Sequence, residues 1–290
     1  MRGGALSGEK RGPDYLPNPT LFCEANVTTA YSQETMNIPP LGPYIDPQKV
    51  VVIGAATGMG ASTVKKLLES GRRVAAIDIN RVVLDSSAEF STLGDVTDAV
   101  DIKRAVDEAA DALGGIEAVV CCVGINGLGT IDETEPEEWN RQFAVNAFGP
   151  YASARAALPH LRASGGGAIV VLTSQVGIVA QKGNAAYCAA KAAAIHLVRC
   201  MAADLAAENI RVNSVAPGIT GPTGMFDSWL SLFPDEESRA AEAQRQIDTN
   251  MQKRIVHPDE VAAAAVFAVS NVAPGIIGQT FVVDGGYSLV

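Results

Sequence analysis

Tyr187 and Lys191 stand four residues apart in AAYCAAKAAAIHL, a run from Ala185 to Leu197 that is mostly alanine. Side chains at i and i+4 share one face of a helix, so the phenol and the ammonium can meet. A free phenol has a pKa of about 10 and is a poor base near neutrality. A neighbouring cation favours the ionised phenol and draws it toward a working range for proton transfer. The pair alone is a weak signal. An amphipathic helix that packs its tyrosine and lets its lysine snorkel to solvent has the same spacing.

A second constellation lies upstream. KVVVIG (49–54) is followed by Gly54-Ala55-Ala56-Thr57-Gly58-Met59-Gly60 and then by the helical stretch MGASTVKKLLESG. Glycines between a Val/Ile strand and a helix let backbone N–H groups and the helix N-terminus hold a pyrophosphate. Gly54, Thr57, Gly58, Met59 and Gly60 are the candidate contacts. Asp78 ends the next apolar run, 18 residues after Gly60. A carboxylate there accepts hydroxyls of an adenosine ribose and repels a 2′-phosphate. No Lys or Arg stands at 55, 56, 79 or 80, although Arg81 is near. The pattern favours NAD over NADP. Asp95 and Val96, after a third short run, sit where an adenine ring would be met.

These groups need a scaffold. Apolar runs recur at 49–54, 72–79, 90–93, 116–124, 167–174, 210–218 and 279–286, separated by helical patterns near 98–113, 136–163, 185–207 and 258–270. Continuous Val/Ile runs are buried on both faces, as in a parallel sheet, and their alternation with helices implies right-handed β-α-β units. The expectation is a Rossmann-type α/β fold: a doubly wound parallel sheet of about seven strands with helices on both faces. Thr134 and Glu137 are spaced as a capping box, and HPDE (257–260) opens the last long helix with proline and two acids. Residues 1–47 carry seven prolines and no sustained period, so they read as an arm or tail beside a single domain over 48–290.

Composition narrows the function. The net charge of −10 opposes nucleic-acid binding through a basic face. No window reaches the ~18 apolar residues of a membrane span, and the first residues contain no secretory h-region. Five cysteines lack disulfide-like or zinc-like spacing, which points to reduced thiols and a cytoplasmic protein. Cys121 and Cys122 read as small buried hydrophobes. No metal site is indicated.

Taken together, residues 49–290 resemble the short-chain dehydrogenase/reductase family, in its single-domain subgroup. Gly54, Gly58 and Gly60 look like that family's cofactor glycines. Asn146 in FAVNAFG, Ser174 in VVLTSQVG, and Tyr187 with Lys191 look like its catalytic set, with Ser174 standing 13 residues before Tyr187. Pro217-Gly218 resembles the turn beside the nicotinamide, and Asp284-Gly285-Gly286 the C-terminal signature. Two departures stand out. Cys121-Cys122-Val123-Gly124 replaces the usual Asn-Asn-Ala-Gly, keeping only Gly124. Pro222 stands where a threonine is usual, leaving Thr220 or Thr223 to meet the carboxamide, with Thr220 preferred.

The resemblance implies hydride transfer between NAD and a carbinol carbon, with Tyr187 as acid/base. Lys191 lowers the tyrosine's pKa and binds the nicotinamide ribose. Ser174 donates to the substrate oxygen, and Asn146 holds a water that links Lys191 to solvent. The family also implies a homotetramer paired through helices near 149–163 and 185–207, where Ala156, Ala157, Ala192, Ala193 and Ala194 suit close contacts. Residues 219–255 read as a substrate lid. Met225, Phe226 and Trp229, with Leu230, Leu232 and Phe233, make it apolar; Gln175, Val176 and Asn184 line the same pocket. The expected substrate is a small hydrophobic secondary alcohol or ketone. A carrier-protein ketoreductase fits less well, because Asp78 and the acidic surface oppose NADPH and an acidic carrier. A sugar-nucleotide epimerase relative would be longer and differently spaced in its glycines. A non-enzymatic NAD-binding regulator would be missing one member of the catalytic set.

Overall fold

The structure, a computed structural model, describes residues 46–80 and 89–289. Nearly all of the 1–47 arm, and Arg81, therefore lie outside the described residues. The apolar runs form strands β1 (Lys49–Ile53), β2 (Arg73–Asp78), β3 (Phe90–Leu93), β4 (Ala118–Cys121), β5 (Gly167–Leu172), β6 (Ile210–Pro217) and β7 (Thr280–Val283). All pair in parallel, in the order β3-β2-β1-β4-β5-β6-β7. This is the doubly wound sheet that the sequence implies. The order reverses between β1 and β4, and a crevice at the carboxyl ends of strands at such a point is where ligands bind in this class of sheet.

The helices are α1 (Gly58–Glu69), α2 (Ala99–Leu113), α3 (Pro136–Phe143), α4 (Gly149–Ala163), α5 (Ala185–Leu205), α6 (Gly224–Leu230), α7 (Glu236–Thr249) and α8 (Pro258–Val269). Alternate residues of a strand feed opposite layers. On β1, Val51 and Ile53 pack with Ile102, Val106 and Leu161 under α2 and α4. Val50 and Val52 join Val64, Leu67, Val261 and Ala265 under α1 and α8. Burial on both faces is why β1 and β4 read as unbroken apolar runs rather than alternating ones.

Two local expectations are corrected. The segment 136–163 is not one regular helix. Between α3 and α4 the chain widens into a π-helical turn, Ala144–Phe148. The Thr134 cap does not form either: its hydroxyl donates to the Thr130 carbonyl (2.8 Å), within a turn closed by Thr134 N to Thr130 O (3.1 Å). Pro136 still opens α3. The HPDE start does close as a capping box, with Asp259 N donating to His257 Nδ1 (3.2 Å) and His257 N to Glu260 Oε2 (2.8 Å). Arg254 clamps Glu260 and holds its carboxyl down at about 2.

The far end of α8 is tied to the sheet by a buried charge. Arg211 of β6, 3% exposed, donates to the carbonyls of Ala268, Val269 and Ser270 at 3.1, 2.7 and 2.9 Å. These are terminal helix carbonyls without intrahelical partners, and the negative end of the helix dipole favours a cation there. Arg211→Leu is expected to lower stability by about 3 kcal/mol, since three buried acceptors lose their donor. Urea unfolding measures it; an unchanged midpoint would show these bonds to be idle.

Candidate active site

A cavity of about 800 Å³ opens at the carboxyl ends of the strands, where the order reverses. One end is the glycine turn. Gly54 has φ +80°, and a Cβ there would lie 2.9 Å from Val123 N. A Cβ at Gly60 would stand 1.8 Å from the Gly54 carbonyl oxygen, so only glycine lets the turn close. Thr57 caps α1 with extended backbone and makes no side-chain capping bond, and it borders the cavity with Gly58, Met59 and Gly60 of the first turn of α1. Nothing acidic stands in the first turn of α1. This is a cradle for a phosphate group.

Asp78 lines the same end. Its carboxylate accepts from Ala56 N and Asn80 N, both at 2.9 Å, and an ionised carboxylate has capacity for further donors. Asp95 and buried Val96 border the cavity as well; Asp95 Oδ1 accepts from Thr97 N (2.8 Å) and Thr97 Oγ1 (2.7 Å). The site therefore fits a dinucleotide: a pyrophosphate cradle with a carboxylate one strand away.

Ser174 and Tyr187, two of the four polar residues singled out as catalytic, border the cavity, whereas Lys191 and Asn146 are buried and do not line it. Tyr187 and Lys191 lie on the buried stripe of α5, which continues through Ile195, Val198, Ala202 and Leu205 into the core. Lys191 is 2% exposed, and its Nζ donates to the Leu172 carbonyl at 3.2 Å. It stands 5.7 Å from the centre of the Tyr187 ring. Ser174, just past β5, borders the cavity with Tyr187, and its hydroxyl is near enough to favour the phenolate. Asn146 sits in the π-helical turn, wholly buried. Its amide brackets Ile125, accepting from Ile125 N (3.1 Å) and donating to Ile125 O (2.9 Å). That amide is committed to shaping the loop after β4. Gly124 fits between these groups: a Cβ there would lie 3.2 Å from Lys191 Nζ and 3.3 Å from Asn146 Oδ1.

Electrostatics modify the sequence reading. Burial pushes the Tyr187 phenol up to about 12, against the opposing effect of the Ser174 hydroxyl. Burial lowers Lys191 to about 8. Desolvation disfavours either charge, and here it outweighs the attraction that the sequence reading gave to Lys191. Cys121 and Cys122, the departure after β4, are free thiols raised by burial, so they behave as the small hydrophobes expected.

Pro217 ends β6, and Gly218 follows on the cavity wall; a Cβ on Gly218 would meet Asp284 Cα at 2.7 Å. Thr220 and Thr223 both border the cavity. Thr223 caps α6, accepting from Phe226 N (3.1 Å), and Thr220 Oγ1 donates to the Gly218 carbonyl (2.9 Å), so both hydroxyls are engaged. Of the apolar set in α6 and the turn after it, Met225, Phe226, Trp229 and Leu232 line the cavity, whereas Leu230 and Phe233 do not. Asn250, at the end of α7, donates to the Asp284 carbonyl (3.0 Å), so the Asp-Gly-Gly turn anchors the base of this cover. Gln175, Val176 and Asn184 are buried on the facing wall. Sequence reasoning missed Asn126, Arg141 and Gln181, which also border the cavity. Asn126 lies just beyond β4, a strand at the reversal point, and that position was the available signal.

Comparison with known proteins agrees with this geometry. A family model described as enoyl-(acyl carrier protein) reductase matches residues 54–288. The chain is 32% identical over 250 residues to 2-(S)-hydroxypropyl-CoM dehydrogenase 3 of Xanthobacter autotrophicus, covering 83% of this chain and 96% of that one. It is 31% identical over 254 residues to D-threitol dehydrogenase of Mycolicibacterium smegmatis, covering 84% and 94%. Among solved structures, the ligand-free aldohexose dehydrogenase of Thermoplasma acidophilum superposes with a TM-score of 0.78 at 28% identity, over 84% of this chain and 95% of that one.

Burying a lysine with one carbonyl partner costs desolvation energy. Lys191→Met is expected to leave the thermal midpoint unchanged or raise it by a few degrees while turnover falls ~10²-fold or more. A midpoint lowered by several degrees would mean that the ammonium is structural.

Proposed function

We propose, for a chain that belongs to the short-chain dehydrogenase/reductase family and interconverts a secondary alcohol and a ketone as a nicotinamide-dependent oxidoreductase, that NAD is its cofactor and Tyr187 its acid/base. The observation that carries this reading is the meeting of Tyr187 and Ser174, with Lys191 buried beside the phenol, at one end of a cavity whose other end is the glycine cradle. A bound nicotinamide supplies the carbon that takes or gives hydride and, when oxidised, a positive charge that favours the phenolate.

The chain's own groups handle the proton and the orientation. Tyr187 takes the alcohol proton in oxidation and returns it to the oxygen in reduction. Ser174 donates a hydrogen bond to the substrate oxygen where charge develops. Lys191, lowered to about 8 by burial and still mostly protonated near neutral pH, adds positive potential and donates to the nicotinamide ribose. Asn146 keeps the loop around Ile125 in shape, and Thr220 with Pro217 and Gly218 borders the nicotinamide. Asp78 selects NAD: its carboxylate pairs with ribose hydroxyls and repels a 2′-phosphate. Met225, Phe226 and Trp229 form a cover that closes over a small, partly hydrophobic substrate, with Gln175, Val176 and Asn184 opposite.

The protein acts in the cytoplasm, in keeping with free thiols at the four described cysteines. It assembles as a homotetramer through the outer faces of α4 and α5. Ala156, Ala157 and Ala194 are buried within their own chain, so that contact falls to exposed Tyr151, Ala192 and Ala193.

Titration with NADH and, separately, NADPH tests the cofactor assignment. NADH is expected to bind at least ~10-fold more tightly, with Asp78→Asn narrowing the gap; tighter NADPH binding would sink the reading of Asp78. Tyr187→Phe is expected to bind NADH as the parent does while losing ~10²-fold or more in turnover. Full turnover in that variant would remove Tyr187 from the proton path.

A further inference from the structure

β3 is a short edge strand with little core behind it. It has four residues, Phe90–Leu93, pairs with β2 alone, and none of the four is buried. Such a strand gains little from the hydrophobic effect. The chain that leaves it is nevertheless a wall of the cavity: Gly94, Asp95 and Val96 all border it, as Asp78 does. Gly94 N donates to the Asp78 carbonyl (2.9 Å), so the ends of β2 and β3 stand side by side.

Polar contacts from α2 supply what packing does not. Asp101, Arg104 and Glu108 are spaced i, i+3 and i+7, one face of the helix. Arg104 lies between the two acids. It donates to Asp101 Oδ1 from Nε (3.1 Å) and Nη2 (2.6 Å), to Glu108 Oε1 (2.8 Å) and to the Leu93 carbonyl (2.8 Å). The acids turn their other oxygens onto the strand end. Asp101 Oδ2 accepts from Asp95 N (2.8 Å), and Glu108 Oε2 from Thr92 Oγ1 (2.7 Å). Thr92, Leu93 and Asp95 are thus each held by one member of the trio. A lone exposed ion pair is worth little, but a forked arginine shared by two carboxylates that grip further groups is a network. The fit beneath is tight as well. A Cβ on Gly94 would lie 2.8 Å from both Ala105 Cβ and Ile77 Cγ2, so glycine lets the loop lie this close to α2.

Resting on the NAD reading above, we infer that Asp101 and Arg104 are positioning residues for the adenosine half of the cofactor. Neither borders the cavity. Each acts through the loop it holds, keeping Asp95 and Val96 where the adenine end of NAD is met. A rim fixed before the cofactor arrives spares part of the ordering cost of binding. Asp101 also stands in the first turn of α2, where an acid suits the helix dipole. Support of α2 alone would lower the thermal midpoint on mutation and leave cofactor affinity unchanged.

The test is calorimetric titration of the full chain, well below its melting midpoint, with NADH and with ADP-ribose, which lacks the nicotinamide. Asp101→Ala and Arg104→Met are each expected to weaken NADH by ~10-fold, the scale of one lost hydrogen bond to a charged group. ADP-ribose should weaken by the same factor, because the whole loss falls on the adenosine half. Asp101→Asn keeps an oxygen that accepts from Asp95 N and should recover most of the loss. Unchanged NADH affinity in either of the first two variants, or a loss for NADH that ADP-ribose does not share, overturns the inference and leaves the dehydrogenase reading standing. A parent protein that binds neither NADH nor NADPH removes both. Preference for NADPH sinks the reading of Asp78 alone, since the trio serves the adenosine common to the two cofactors.

Discussion

The site depends on a lysine kept away from water. The buried stripe of α5 that carries Ile195, Val198, Ala202 and Leu205 into the core also carries Tyr187 and Lys191 toward its N-terminal end. A lysine on such a stripe ordinarily leans out to solvent along its aliphatic stem. Lys191 does not: it is buried where α5 packs against the sheet, and its ammonium donates to the Leu172 carbonyl. Burial then moves both titrating groups away from their solution behaviour, the lysine down and the tyrosine up. The two proton affinities, nearly equal in water, are thereby moved apart, and each group is pushed toward its neutral form.

That constraint propagates into the surrounding residues. Leu172 ends β5 and Ser174 follows it, so the strand that supplies an acceptor for the lysine also delivers the hydroxyl that favours the phenolate. A side chain at Gly124 would crowd Lys191 Nζ and Asn146 Oδ1, at 3.2 and 3.3 Å. The π-helical turn belongs to the same arrangement. An extra residue in the turn between α3 and α4 lets Asn146 reach in and hold Ile125 by both ends of its amide, and such wide turns recur at functional sites. Loss of the family's usual asparagines after β4 fits this picture. Cys121 and Cys122 fill the strand end, and the loop keeps its shape through Asn146.

The cavity has two unlike walls, and they come from different parts of the chain. The polar wall is built on the rigid sheet and α5, from loops at the carboxyl ends of β4 and β5. The apolar wall comes from α6, a short helix capped by Thr223 within a long excursion between β6 and α8.

Much of this was readable from sequence. Strand and helix order, the glycine turn, Asp78 and the four-residue offset of Tyr187 and Lys191 are local patterns, governed by backbone geometry and by periods of two and 3.6. The alanines of α5 were equally plain; what they permit, close packing on the sheet, was not. Thr134 looked like a cap because its spacing from Glu137 is right, yet its hydroxyl serves the preceding turn, a competition that spacing does not record. Sequence likewise assigned Lys191 the stronger influence on the phenol, since charge is visible in a sequence and desolvation is not. Burial arises only when α5 lies on the sheet. Four amides whose buried oxygens have no hydrogen-bond partner among the described residues show the same limit: Asn126, Gln142, Gln175 and Asn184 are scattered over 59 positions and are ordinary polar residues until the tertiary fold closes around them. The sequence determined which residues could do chemistry, because that follows from side-chain type and local period. Only the tertiary structure decided which of them lost water, and that sets their proton affinity and the ligand they can accept.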